Sequence, residues 1–180
     1  MLAIVIPYYK FTFFKETLDS LANQTDKRFK VYIGDDASAI NPTKLLNSYK
    51  DKIDFEYKRF STNLGGTSLV KQWERCIAMI NDEEWIMILG DDDVLGYNVV
   101  DKFYKEKNNF PQDISVIRYA TNVIDSSGVI ISKTFTHPVF EKASDSFFRK
   151  SKNETRSSLS EYIFKKEKKK SISNSPAHPQ

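Results

Sequence analysis

The amino-acid sequence predicts an α/β fold, a doubly wound and mostly parallel sheet with flanking helices, and three observations predict it. Short apolar runs alternate with segments of helical period four times before residue 110, the pattern of successive βα units. The run Trp85-Ile86-Met87-Ile88-Leu89 is apolar on both alternating faces, as a central strand covered on both sides must be. Two of the strand-like runs stop abruptly on carboxylates, Asp35-Asp36 and Asp91-Asp92-Asp93. In open α/β sheets ligands gather beyond the carboxyl ends of the strands, where these acids emerge. With 180 residues, 40% of them hydrophobic and 13% aromatic, the chain has room for one ordinary domain with its own core.

The first strand spans residues 2–6 and is halted by Pro7, with Tyr8 and Tyr9 at its end. Phe14, Leu18 and Leu21 recur at helical spacing, so a helix covers 13–23 with Thr12 as its N-cap. Residues 29–34 form a second strand, Val31 and Ile33 facing inward. Asn41-Pro42 signals a turn, and Leu45, Leu46 and Tyr49 mark a short helix after it. Residues 53–57 alternate as a third strand. Asn63-Leu64-Gly65-Gly66 makes a turn before Thr67 or Ser68 caps a third helix, in which Leu69, Trp73, Ile77 and Ile80 keep the helical period. After the run at 85–89, residues 97–108 read as an amphipathic helix and 114–119 as another strand. Beyond residue 120 the pattern changes. Residues 123–131 read as a β-hairpin around a Ser-Gly turn, 134–148 carry no clear period, and 159–164 suggest a last short helix.

The net charge of +3 hides an asymmetry, because residues 141–180 hold ten Lys and Arg against five Asp and Glu. The basic run Lys165-Lys166-Glu167-Lys168-Lys169-Lys170 reads first as a solvated, poorly ordered tail covering 165–180. Peripheral contact with an anionic membrane surface is its second reading, and no nucleic-acid partner is expected. No apolar stretch is long enough to span a bilayer and no secretion-signal pattern opens the chain, so a cytoplasmic protein is expected, with its inner membrane face as a further possible place. The single cysteine, Cys76, cannot form an internal disulfide and reads as a buried, inert thiol. Nothing in the sequence sets an oligomeric state.

Adjacent carboxylates raise one another's pKa and resist joint ionisation unless a cation sits among them, and a hard divalent ion held by oxygens answers that need. The plainer reading of Asp91-Asp92-Asp93 is a solvated acidic turn, since Asp is common where strands end. Lys71 and Arg75, near the entry of the third helix, suit an anion and plain solvation equally. His137, before Pro138 and without a second His or Cys nearby, reads as a loop residue, because metal sites need clusters. The chain has no Gly-x-x-x-x-Gly-Lys-Ser/Thr loop and no Gly-x-Gly-x-x-Gly after the first strand, which disfavours P-loop NTPases and dinucleotide-binding domains. Two acid groups at neighbouring strand ends, with a Gly turn opposite, suit a nucleotide whose base meets one and whose diphosphate reaches the other through a metal.

Five segments in consistent order resemble the family 2 glycosyltransferases of the GT-A fold. They are Ile4-Val5-Ile6-Pro7-Tyr8-Tyr9; Glu16-Thr17-Leu18-Asp19-Ser20-Leu21 with Gln24-Thr25; Val31-Tyr32-Ile33-Gly34-Asp35-Asp36-Ala37-Ser38; Asn63-Leu64-Gly65; and Ile88-Leu89-Gly90-Asp91-Asp92-Asp93-Val94-Leu95. The resemblance covers residues 1–130, and Ser158-Leu159-Ser160-Glu161-Tyr162-Ile163-Phe164 also looks like the acceptor side of bacterial polysaccharide enzymes of this kind. It implies that Pro7, Tyr8 and Tyr9 shape the pocket for the nucleoside base and that Asp36, or Asp35 beside it, hydrogen-bonds that base. Asn63 and Gly65 belong to the implied donor site. Asp93 is the first choice for a metal ligand, with Asp91 or Asp92 touching metal or ribose. The implied cofactor is Mn²⁺ or Mg²⁺, stabilising the departing nucleoside diphosphate as a Lewis acid.

The chain departs from the family pattern at several positions. Lys10 stands where Asn is usual, Ala37 where Gly is usual and Gly90 where Asp is usual. The usual Arg-Asn pair of the third helix is missing, with Lys71-Gln72-Trp73 or Arg75 in place to meet phosphate. The carboxylate base of inverting members is expected in a C-terminal acceptor segment that this chain stops too soon to include. Asp145, Glu154 and Glu161 read instead as surface carboxylates. The expected organisation is a nucleotide-sugar-binding domain at 1–130, a partial acceptor-side segment at 131–164 and the basic tail. The expected function is metal-assisted transfer of a sugar from a nucleotide-diphospho-sugar to a hydroxyl of a glycan or lipid-linked acceptor in surface polysaccharide synthesis, with inversion at the sugar. A non-catalytic or truncated nucleotide-binding fragment and a metal-dependent phosphoryl-transfer domain are the alternatives; the latter wants a nucleophilic Asp after the first strand, where Pro7-Tyr8-Tyr9-Lys10 offers none.

Overall fold

The odd and even residues of the N-terminal strand are buried against opposite layers, which makes it the centre of the molecule in the computed structural model. Strand β1 (Leu2–Tyr8) sends Leu2, Ile4, Ile6 and Tyr8 into one apolar layer and Ala3 and Val5 into the other. A strand whose two faces are both covered needs apolar residues at every position, and this one has them. The structure describes residues 1–111 and 114–166, so the basic run from Glu167 onward lies outside the described residues.

Around β1 stand β2 (Phe29–Asp35), β3 (Phe55–Arg59) and β4 (Trp85–Ile88), all parallel, in the order β3-β2-β1-β4. The register pairs Tyr8 with Asp35 and Val5 with Ile88, so the acid-bearing ends of β2 and β4 emerge beside the end of β1. Helices α1 (Phe14–Ala22), α2 (Thr43–Asn47) and α3 (Leu69–Ile77) connect these strands in turn, and α4 (Val99–Glu106) follows β4. Phe14, Leu18, Leu21, Val100 and Phe103 fill the first layer, whereas Cys76, Met79 and Ile80 fill the second. The sheet continues with β5 (Val116–Arg118) and, after α5 (Ala143–Ser151), β6 (Tyr162–Lys165). β6 lies between β4 and β5 and is antiparallel to both.

The α/β class and the mostly parallel sheet stand as expected, with three local corrections. The stretch 159–164 is not a helix: Leu159–Glu161 is a single 3-10 turn, and Tyr162–Lys165 pairs with β4 and β5. Tyr162-Ile163-Phe164 has the aromatic and β-branched composition of a strand, and burial alternates around the fully buried Ile163. The buried face of α3 carries Gln72 and Cys76, not the Leu69 and Trp73 stripe, and Leu69 is exposed. Gln72 can be buried because its amide donates to the Gly34 carbonyl at 3.2 Å. Thr12 does not cap α1, whose N-cap position is Phe13 without a side-chain bond, while Ser68 caps α3 by accepting from the Lys71 N–H. The thiol of Cys76 is enclosed and burial pushes its pKa up to about 12, as an inert thiol requires. The 123–131 hairpin closes through a bridge between Ile124 and Ile130, with Gly128 at φ 80 in its turn.

Candidate nucleotide-sugar site

A cleft of about 390 Å³ opens at the carboxyl ends of β1, β2 and β4. Of the residues singled out in the sequence, Pro7, Tyr9, Asp36, Asn63, Gly65, Asp91 and Asp93 line it, drawn together from four separate segments. Trp73 of α3 and Ser158, Leu159 and Ser160 of the late turn complete its wall. A second hollow of about 470 Å³ is lined by the consecutive residues Lys50 to Phe55 and gathers no chemistry from elsewhere in the chain.

Tyr8 and Tyr9 part company because successive strand residues face opposite ways. Tyr8 shares its direction with Leu2, Ile4 and Ile6, packs on Phe14 at 4.5 Å between ring centroids and donates its hydroxyl to the Ile40 carbonyl at 2.7 Å. Burial pushes its pKa up. Tyr9 is the exposed ring at the cleft.

Asp35 and Asp36 divide in the same manner. The Asp35 side chain is 0% exposed and accepts from the Tyr57 hydroxyl at 2.6 Å, the Arg59 guanidinium at 2.6 Å and the Ser38 N–H at 2.8 Å. Burial and then this carboxylate push the Tyr57 hydroxyl up to about 12. Asp36 borders the cleft, accepting from the Leu64 N–H at 2.7 Å, the Gly65 N–H at 2.8 Å and the Arg75 guanidinium. A Cβ at Gly65 would stand 2.5 Å from Asp36 Oδ2, so only glycine lets this backbone approach the acid. Asn63 folds the same turn by accepting from the Gly66 N–H at 2.7 Å. Between the acids' strand and that turn, Ala37 sits at φ 53, the left-handed region where glycine is the easier residue.

The three acids after β4 diverge. Asp91 Oδ2 accepts from the Tyr9 and Lys10 N–H groups, both at 2.6 Å, and so fastens the β4 end to the β1 end. Burial raises its pKa, and those two N–H donors work against the rise. Asp92 is exposed. Asp93 accepts from the Ser160 hydroxyl, which itself accepts from the Gly90 N–H at 3.1 Å. Among the described residues no three His, Cys, Asp or Glu side chains converge as a metal cage. The two acids that line the cleft, Asp93 and the buried Asp91, suit an ion that takes one or two carboxylates and completes its shell with phosphate and water.

Several contacts were not legible in the sequence. Arg75 is committed within the chain, donating to Asp36 and to the Thr62 carbonyl, the latter at 2.8 Å. Lys71 is exposed. Glu161 is not a surface carboxylate: its side chain is 0% exposed and paired with Arg118 at 2.7 Å, because β6 carries it into the sheet. Asp145 and Glu154 are exposed, as expected. His137 lies in irregular chain, yet both its ring nitrogens are enclosed without a hydrogen-bond partner.

The sequence model of glycosyl transferase family 2 matches residues 3–172 of the chain. The crystal structure of S. aureus TarS 1-349 in complex with UDP-GlcNAc superposes with a TM-score of 0.55 at 19% identity, covering 68% of this chain and 40% of that one. The TarS 1-349 complex with UDP gives a TM-score of 0.54 at 19% identity over 68% of this chain and 41% of that one. The longer S. aureus TarS structure gives 0.55 at 19% identity, with 68% and 25% covered. The shared feature is the fold, and this chain spans well under half the length of these neighbours. No curated protein sequence is matched.

Proposed function

The chain belongs to glycosyl transferase family 2, and on that premise we propose that the cleft binds a nucleotide-diphospho-sugar for transfer of its sugar to an acceptor hydroxyl. The observation that carries the reading is the convergence of Pro7, Tyr9, Asp36, Asp91 and Asp93 on one cleft from three different strand ends. That TarS structures hold UDP and UDP-GlcNAc supports a nucleotide-sugar as the donor class.

In this reading the exposed Tyr9 ring lies against the nucleoside base, and Asp36 accepts a hydrogen bond from it. A carboxylate has about four lone-pair sites, and three donors occupy Asp36, which leaves one for the base. Asp35, enclosed and committed to three donors, is assigned the supporting role of fixing the β2 end. Tyr8 anchors β1 from below. Asp93, with Asp91 and the exposed Asp92 beside it, faces the diphosphate end and would hold Mn²⁺ or Mg²⁺. When bound, that ion supplies Lewis-acid stabilisation of the departing diphosphate. We assign no residue as the base that takes the acceptor's proton. A glycan or lipid-linked acceptor, surface polysaccharide synthesis, inversion at the sugar and work at the cytoplasmic face of a membrane belong to the same proposal. Among the described residues no helix is long and apolar enough to cross a membrane.

Calorimetric titration of the chain with UDP, GDP and dTDP, each with Mn²⁺ and with EDTA, tests the reading. Metal-dependent binding of one nucleotide is expected. Binding of none would overturn it.

A further inference from the structure

The late turn Leu159–Glu161 reaches the cleft from the side opposite β1 and β2. It is held there firmly. Glu161 is buried against Arg118 at 2.7 Å, its carbonyl accepts from the Tyr119 N–H at 2.9 Å, and β6 follows at once beside β4. The residue before it, Ser160, presents its hydroxyl to the metal-motif acids. That hydroxyl accepts from the Gly90 N–H at 3.1 Å and donates to Asp93 Oδ2. A serine hydroxyl has one proton to give, so the Gly90 contact leaves that proton directed at the carboxylate.

Gly90 constrains Asp93 from the other side. A Cβ there would stand 2.6 Å from Asp93 Oδ2 and 3.2 Å from Asp92 Oδ1, so the absence of a side chain makes the space this Asp93 orientation occupies. Asp93 is therefore placed twice: by room at Gly90 and by a charge-assisted hydrogen bond from a residue 67 positions later. The same oxygen takes both constraints, which leaves the other carboxylate oxygen of Asp93 for the cleft.

We propose that Ser160 is a positioning residue that, together with the side-chain-free Gly90, sets the orientation of Asp93 toward the ion and diphosphate of the donor. The proposal rests on the nucleotide-sugar reading above. Removing a partner of a metal-ligating group typically weakens metal affinity about 10-fold to 100-fold, whereas a merely structural clip would change stability and leave metal affinity alone.

The test follows free Mn²⁺ by electron paramagnetic resonance in titrations of the chain with the nucleotide that the wild type prefers, for Ser160→Ala, Ser160→Thr and Gly90→Ala. Ser160→Ala is expected to weaken Mn²⁺ binding about tenfold or more while nucleotide binding in EDTA stays as in the wild type. Ser160→Thr, which keeps the hydroxyl, is expected to restore the metal affinity. Gly90→Ala, which pushes on Asp93 while keeping the Ser160 hydroxyl, is expected to mimic Ser160→Ala and supplies the answer if that variant fails to fold. Unchanged Mn²⁺ affinity in both Ser160→Ala and Gly90→Ala overturns the proposal and leaves the donor-site reading standing. A wild type that binds nucleotide without any effect of Mn²⁺, or binds none, overturns the donor-site reading and this proposal with it.

Discussion

The guanidinium of Arg75 on α3 meets the carboxylate of Asp36 at the end of β2, 39 positions earlier in the chain. The same acid accepts from the Leu64 and Gly65 N–H groups, so one carboxylate joins the sheet, the helix and the turn that closes the cleft. Arg75 also lies over the Phe60 ring at 4.0 Å.

Replacing Arg75 by Met is predicted to cost about 1–3 kcal/mol, because a nearly enclosed carboxylate loses its charged donor. Arg75→Lys is predicted to recover only part of that, since an ammonium cannot span Asp36, Gln72 and the Thr62 carbonyl as the guanidinium does. Urea unfolding of the three chains checks both statements.

Ala37 at φ 53 carries a left-handed backbone that costs a residue with a Cβ about 1–2 kcal/mol. Ala37→Gly is predicted to leave stability equal or raise it by up to about 1 kcal/mol, the gain being trimmed by glycine's greater unfolded-state freedom. Ala37→Val is predicted to lower it. Opposite shifts in the urea midpoint are the expected outcome.

Breaking the enclosed Arg118 and Glu161 pair by Glu161→Ala is predicted to destabilise by about 3–5 kcal/mol, since Arg118 is then left with an uncompensated charge. The paired change Arg118→Met with Glu161→Leu is predicted to restore much of the loss. Urea unfolding of the wild type, Glu161→Ala and the double variant measures the difference.

His137 holds its pKa below the ordinary 6.5, first through burial and then through the neighbouring Arg118 charge, with Arg149 adding to the effect and Glu161 and Glu141 opposing it. As pH falls past 6.5 the unfolded chain takes this proton before the folded one does, so the histidine's contribution is whole above 6.5 and is lost toward its lower folded pKa. His137→Phe is predicted to shrink the fall in urea midpoint between about pH 8 and about pH 5.5. An equal fall in both chains would contradict this.

The sequence was informative where one strand decides its own environment. Residues 2–6, 29–34 and 85–89 announced strands, the last of them covered on both faces, and Asp35-Asp36 and Asp91-Asp92-Asp93 marked the cleft edge. Even the separation of Tyr8 from Tyr9 follows from strand parity, since Tyr8 shares a face with Ile4 and Ile6. What stayed hidden depends on partners far away in the chain. Asp35 and Asp36 are identical in sequence terms, and only Arg59 with Tyr57 on one and Arg75 on the other separates an enclosed acid from one at the cleft. The strand nature of Tyr162–Lys165 was masked because it is only four residues long, and its place between β4 and β5 is a matter of topology that no local pattern carries.

Asp93 is proposed above as the ligand of a metal-dependent nucleotide site. Its most direct test is calorimetric titration of UDP in Mn²⁺ into the wild type and into Asp93→Asn, a change that keeps size and the Ser160 contact while removing the charge. The wild type is expected to bind in a way that EDTA weakens, and Asp93→Asn to lose about tenfold or more of the Mn²⁺-dependent part. Equal Mn²⁺-dependent binding by both chains would contradict it.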